Sequence, residues 1–300
     1  MRSSATVGRQ STNLSARTEA SALATSLVEE FPKIAGLLLS GAQIALSTFR
    51  ILNPTIIEVA MKVAEIWRYP VKTMAGEKLQ RVRLGPLGIE GDRIVHVEDA
   101  HGRVITSRSH PRFLGHQGTL GPNGEPLVDG RPWQSPEVAA EVVDIGGPGA
   151  KLVRYDGVER FDVLPLLVAT DGAVAAFGHD HRRLRPNLLI GGVEGLAERE
   201  WPGCCLRIGK VLIGVQDLRL RCIMTSYDPD TLIQDKNITR DIYRRFDGKL
   251  ALNCFVIEGG DIAVGDGVQL MRGRACVRPP RPSSSRVTQH DRGQPLRRVR

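Results

Sequence analysis

From residue 63 the chain reads VAEIWRY (63–69), RVRLGPLGI (81–89), DRIVHVED (92–99), HGRVITS (101–107) and, further on, KLVRYDG (151–157). Apolar and polar residues alternate or nearly alternate in each run, the pattern of a strand with one buried face. Gly, Pro and Asp stand between the runs, where turns are needed. Two later stretches read as hairpins: CCLRIGKVLIGVQ (204–216), turning at Gly209-Lys210, and CFVIEGGDIAVGDGVQLM (254–271), turning at Gly259-Gly260. Two helices interrupt this texture. One should begin at Thr170-Asp171, whose short polar side chains can cap the free amides of AVAAFG (173–178). The other is NITRDIYRRF (237–246), with Ile238, Ile242 and Phe246 at helical spacing. The fold class expected is α+β and β-rich.

The composition fits a globular chain. Of 300 residues, 41% are hydrophobic and 25% charged, which excludes a collagen-like or wholly disordered protein. The net charge of +8 is local: residues 272–300 hold nine arginines and one acid, while the remainder balances 32 basic against 32 acidic side chains. That tail has almost no core-forming residues and no aromatics to stack on bases, so it reads as a disordered Arg-rich segment, and no specific nucleic-acid partner is expected. Five cysteines, odd in number and without a CxxC pair, suggest neither a disulfide framework nor a zinc finger, so a reducing, cytoplasmic setting is expected. Residues 1–60 read as a leader. Its apolar stretch IAGLLLSGAQIALSTF (34–49) falls short of the ~20 residues that cross a bilayer. That stretch is either a helix lying on the main domain or a non-native extension, with an interfacial or anchoring helix as the alternative. Met61 directly precedes the first strand-like run and could serve as a start.

Basic residues recur beside turns. Lys72 follows Tyr69-Pro70-Val71, Arg93 follows Gly91-Asp92, and Arg183 and Arg185 precede Pro186-Asn187. Singly these are solvated surface charges; together, as donors at strand ends, they could surround an anion such as phosphate. The most unusual stretch is LRLRCIMTSYDPDT (218–231). There Cys222 ends an apolar-alternating run beside Arg219 and Arg221. It is either a small buried residue closing a strand or a thiolate favoured by the guanidiniums, ready as nucleophile or metal ligand. Asp228-Pro229-Asp230-Thr231 can be a turn with Asp228 accepting backbone hydrogen bonds. The histidines show no ligand-like pattern, so no self-contained zinc or iron site is expected.

Taken in order, IWRYPVKTMAGE (66–77), GIEGDRIVHVED (88–99), RVITSRSHPRFL (103–114), RLRPNLLIGG (183–192), RCIMTSYDPDT (221–231) and IAVGDGVQL (262–270) resemble the MOSC family over residues 63–271. The resemblance implies a MOSC N-terminal β-barrel segment at 61–160 packed with a MOSC β-barrel domain at 161–271, between the leader at 1–60 and the tail at 272–300. It implies a molybdenum cofactor, Mo-molybdopterin, with Cys222 as the protein ligand to the metal. Lys72, Thr73, Arg93, Thr170, Asp171, Arg185, Asn187 and Arg221 fall on cofactor-contacting positions, and Asp228 falls in a DPDT loop that organises the cysteine. Leu220 stands where relatives often have cysteine or serine. A carboxylate at Asp171 is unusual beside a phosphate.

The activity so implied is reduction of small N-hydroxylated substrates. No iron–sulfur cluster and no pyridoxal-phosphate site is found in the chain, so electrons would come from a separate donor protein of ferredoxin, flavin or cytochrome type. Two other readings stay open. One is sulfur transfer in cofactor maturation through a persulfide on Cys222; the other is a non-catalytic cofactor carrier.

Overall fold

The computed structural model describes residues 61–155 and 157–273. The expected leader, and the arginine tail beyond residue 273 with Cys276, lie outside the described residues. The chain is α+β and β-rich. Its first part holds β1 (Lys62–Arg68), β2 (Glu77–Leu79), β3 (Arg81–Gly85), β4 (Gly88–Ile89), β5 (Val95–Glu98), β6 (Val104–Ile105), β7 (Gly118–Leu120), β8 (Pro126–Val128), β9 (Arg131–Pro132), helix α1 (Pro136–Gly146) and β10 (Lys151–Arg154). The second holds β11 (Leu166–Thr170), α2 (Asp171–Phe177), β12 (Leu188–Gly191), β13 (Cys205–Ile208), β14 (Val211–Leu220), α3 (Lys236–Phe246), β15 (Lys249–Glu258), β16 (Gly260–Ala263) and β17 (Val268–Met271).

The largest sheet has the order β17-β13-β14-β15-β11-β12-β1-β2, so the first part of the chain donates two strands to a sheet built mainly from the second. The edge strand β17 returns to β1: Val268 N–H donates to Met61 O (2.8 Å) and Val63 N–H to Asp266 O (2.9 Å). Inside lie Val63, Ile66, Leu166, Leu188, Leu206, Ile213 and Leu252, all fully buried or nearly so. Burying one such side chain stabilises the fold by ~1.5–3 kcal/mol. Val63 and Ile66 are three apart, which simple alternation forbids; a register shift between Val63 and Glu65 lets both face inward. A second core gathers Val71, Met74, Val97, Phe113, Val138 and Val142 under α1.

Both expected helices form. Thr170 Oγ1 accepts from Ala173 N–H (3.2 Å) to start α2, and Ile238, Ile242 and Phe246 are the buried face of α3. The helix α1 was not expected. Ser135 caps it, accepting from Val138 N–H (3.3 Å), and Pro136 fixes its first turn. One hairpin is corrected. Gly209-Lys210 does join β13 to β14, but Gly259-Gly260 does not fold β16 back on β15: β15 pairs with β14 and β11, and β16 pairs with β3. A single residue separates β15 from β16, too few for a two-residue turn. At that point the chain passes so close to β3 that a side chain on Gly259 would lie 2.6 Å from Leu84 O.

Candidate functional site

Five short segments and one strand end meet around a cavity of about 130 Å³. Its wall includes Lys72, Thr73, Arg93, Arg108, Asp162, Arg185, Arg219, Arg221, Cys222 and Met224. The backbone is forced at three of these positions. Thr73 (φ 84°), Arg93 (φ 54°) and Arg185 (φ 55°) are in the left-handed region, which costs non-glycine residues free energy and clusters at functional sites. Each is held by its surroundings. Thr73 Oγ1 shares a short hydrogen bond with the Ser107 hydroxyl, and Ser107 Oγ donates to Thr73 O (2.6 Å). Arg93 N–H donates to Tyr69 O (2.7 Å), and Arg185 N–H to Arg182 O (3.0 Å).

Six cationic side chains therefore line the cavity against one carboxylate, Asp162. Arg221 is buried; its Nη2 donates to Leu184 O (2.7 Å), while its Nε is enclosed and has no acceptor. Burial, together with the like charge of Arg219, pushes its pKa down to about 10. Burial also lowers Arg185 and Arg219. The guanidiniums of Arg93 and Arg185 lie over the Tyr69 ring, 5.1 and 4.3 Å from its centroid. Burial raises the Tyr69 phenol to about 12 despite those charges, so it is a neutral platform at any physiological pH. The chain must pass tightly here: a Cβ on Gly76 would lie 2.4 Å from Arg68 O and 2.5 Å from the Tyr69 ring.

Cys222 follows β14 and opens a 3₁₀ turn at Ile223–Ser226. Its carbonyl accepts from the backbone N–H (3.1 Å) and hydroxyl (3.0 Å) of buried Thr225. This leaves its thiol half-buried at the cavity wall, within the electrostatic reach of Arg219 and Arg221. Arg185 and Met224 also border a second cavity of about 420 Å³, which Trp67, Gly76, Gln117 and Tyr227 help to line.

The remaining expected residues are placed differently. Asn187 is buried behind the wall. Its Oδ1 accepts from Leu167 N–H (3.1 Å) and Arg93 Nη1 (3.5 Å), its Nδ2 donates to Trp67 O (3.3 Å), and it reaches only a small adjoining cavity of about 50 Å³. Thr170 and Asp171 do not line the cavity. Thr170 caps α2 and donates to Glu198, while the Asp171 carboxylate accepts from the amides of Gly172 (2.8 Å), Gly192 (2.7 Å) and Val193 (3.0 Å). Asp228 folds its own loop, accepting from Asp230 N–H (3.1 Å) and Thr231 N–H (2.9 Å), and pairs with Arg183 (2.7 Å). Those backbone donors, and then Arg183, hold its carboxyl below the usual range. Its bonds go to that loop and not to Cys222, whose turn Thr225 fixes instead.

The sequence reading did not single out Tyr69, Arg108, Asp162 or Thr225. It also found no histidine cluster, yet His116, Asp129 and Glu141 bring ligand-type atoms within 4.8 Å of one another. A cation already stands there, because Arg131 donates to both oxygens of Glu141 (2.8 and 2.7 Å) and lies 3.7 Å from Asp129.

Among the described residues no helix is long and apolar enough to cross a membrane. Comparison with known proteins gives two family matches, a MOSC N-terminal beta barrel domain at residues 60–128 and a MOSC domain at residues 172–269. The chain is 24% identical over 291 residues to mitochondrial amidoxime-reducing component 1 of Homo sapiens, covering 70% of this chain and 82% of that one. The Mus musculus protein of the same name is 26% identical over 287 residues, with the same coverage. Among solved structures, the YUAD protein from Bacillus subtilis aligns with a TM-score of 0.41 at 11% identity, covering 72% of this chain and 97% of that one.

Proposed function

The chain belongs to the MOSC family, and on that footing we propose that it is a molybdenum-cofactor oxidoreductase that reduces small N-hydroxylated compounds with electrons from a separate donor protein. One observation carries this reading: a half-buried thiol shares a cavity with six cationic side chains and a single carboxylate.

The residues suit the group. A soft thiolate matches molybdenum, and guanidiniums match a phosphate. Arg221 Nε is a buried donor with a hydrogen bond left to give. When bound, the cofactor supplies the redox chemistry at its metal. The chain's own share is to hold and orient it. Cys222 offers the sulfur ligand. Lys72, Thr73, Arg93, Arg185 and Arg221 offer donors to its anionic and pterin edges. Asn187 acts one step back, by fixing Arg93. Asp228 orders the loop that follows the cysteine, and no proton-transfer role is assigned to it. Thr170 and Asp171 serve the site only through the α2 terminus they build. The segments 61–160 and 161–271 are read as the two barrel parts, joined through the large sheet.

The substrate class leans on the relatives named for amidoxime reduction. Those names also say mitochondrial, whereas the cytoplasmic reading of this chain rests on its cysteine usage alone.

The test is the molybdenum and pterin content of protein purified from a host that makes the cofactor, beside Cys222→Ser. Near-stoichiometric metal and pterin are expected in the wild type. In the variant the metal should be lost or its spectrum altered, and amidoxime turnover should fall at least about 100-fold. Well-folded wild type without molybdenum or pterin would overturn the proposal. A persulfide on Cys222 without turnover would point to sulfur transfer instead.

A further inference from the structure

Asp162 is the carboxylate on the cavity wall, and three cations from distant parts of the chain converge on it. Lys72 Nζ lies 3.0 Å from Oδ1, while Arg108 Nη2 and Arg219 Nη2 lie 2.9 and 3.5 Å from Oδ2. They come from the turn after β1, the segment after β6 and strand β14. Asp162 itself stands on the connection between β10 and β11, in no strand or helix, with its side chain 39% exposed. Burial pushes its carboxyl up, yet Lys72, Arg108 and Arg219 more than offset this and hold it below the ordinary range. It is a charged group at neutral pH.

Two flat oxygens and one negative charge serve three cations here. A tetrahedral dianion brings more acceptor oxygens and twice the charge to the same donors. A monoanion brings no advantage over the carboxylate already present. We infer that Asp162 is an internal counter-ion standing where a phosphate-class dianion binds, so that Lys72, Arg108 and Arg219 form an anion subsite that Asp162 reserves for dianions. The inference rests on the proposed function only for the source of that dianion, which is either the phosphate of a bound cofactor or free phosphate.

The sign of one substitution decides it. Full-length protein from a host that lacks the cofactor is titrated calorimetrically with inorganic phosphate at neutral pH, beside Asp162→Asn and Arg108→Gln. Removing the competing charge should tighten phosphate binding by about tenfold or more and let nitrate compete; losing half-exposed Arg108 should weaken phosphate binding. A residue that merely braced the site would give the opposite sign, so unchanged or weaker binding in Asp162→Asn overturns the inference. So does a lack of phosphate binding in both wild type and Asp162→Asn. The same titration on protein from a cofactor-making host separates the sources. Loss of the phosphate site in loaded protein names the cofactor's phosphate, and its persistence names free phosphate. Tighter binding in Asp162→Asn, in a protein that never acquires molybdenum or pterin, would retain the subsite and remove the oxidoreductase reading.

Discussion

The cavity beside Cys222 and the cluster of His116, Asp129 and Glu141 are both crowded with charge, yet they are built in opposite ways. In the cluster each charge has its answer: Arg131 lies between Glu141 and Asp129, and His116 Nδ1 lies 2.7 Å from Asp129. In the cavity, positive charge outnumbers negative, and a buried guanidinium nitrogen has no acceptor. Folding does not gain by burying a lone charge, since desolvation outweighs what a missing partner would return. Charge that is partnered within the fold braces it; a one-sided excess, held at strained backbone positions, is an arrangement that waits for a ligand.

Substituting Arg221→Met tests the difference most severely. Phosphate affinity should drop about 10- to 100-fold, while the thermal midpoint of the cofactor-free protein should hold or rise as an unanswered buried charge is removed. Calorimetry and thermal unfolding read the two effects. A fall of several degrees with affinity intact would place the cavity beside the cluster as a structural feature. The matching change in the cluster, Arg131→Met, should move the urea unfolding midpoint only slightly, because the pair is more than a third exposed, and should leave phosphate affinity unaltered. The smallest effect belongs to the Asp228–Arg183 pair at the second loop. Its carboxyl titrates below the usual range, so the stability it lends is present above that range and disappears as pH falls through the depressed value. Asp228→Asn should therefore lose less than about 1 kcal/mol at neutral pH, and its unfolding should converge on wild type in acid.

What could be read in advance follows from how far each signal reaches along the chain. Alternation and capping are local, so β1, β3 and β14 and the helices at 171–177 and 236–246 were legible. The α1 helix was signalled by Ser135-Pro136 and passed over, because only Val138 and Val142 of its eleven residues are buried, too thin an apolar stripe to stand out. The strand at 260–263 was legible, but its partner was not, since alternation says which face is buried and nothing about which neighbour lies alongside. The site divides in the same way. Cys222, Lys72, Thr73, Arg93, Arg185 and Arg221 stood out through turns and motif order. Arg108 and Asp162 carried no local mark, and only their meeting at the cavity wall gives them meaning. Thr170 and Asp171 carried a correct helix-start signal, which the structure uses as a helix start.

The return of the last strand to the first has a consequence for how the molecule is made. Val63 exchanges backbone hydrogen bonds with Gly265 and Asp266, and Met61 O accepts from Val268. A ribosome adding 5–20 residues each second leaves β1 without that neighbour for about 10–40 s. Ile66 gains β2 alongside almost at once and Val63 gains β12 later, so what stays open until the final strand emerges is the set of backbone groups on Met61 and Val63, an unpaired edge exposed to chaperones or to aggregation.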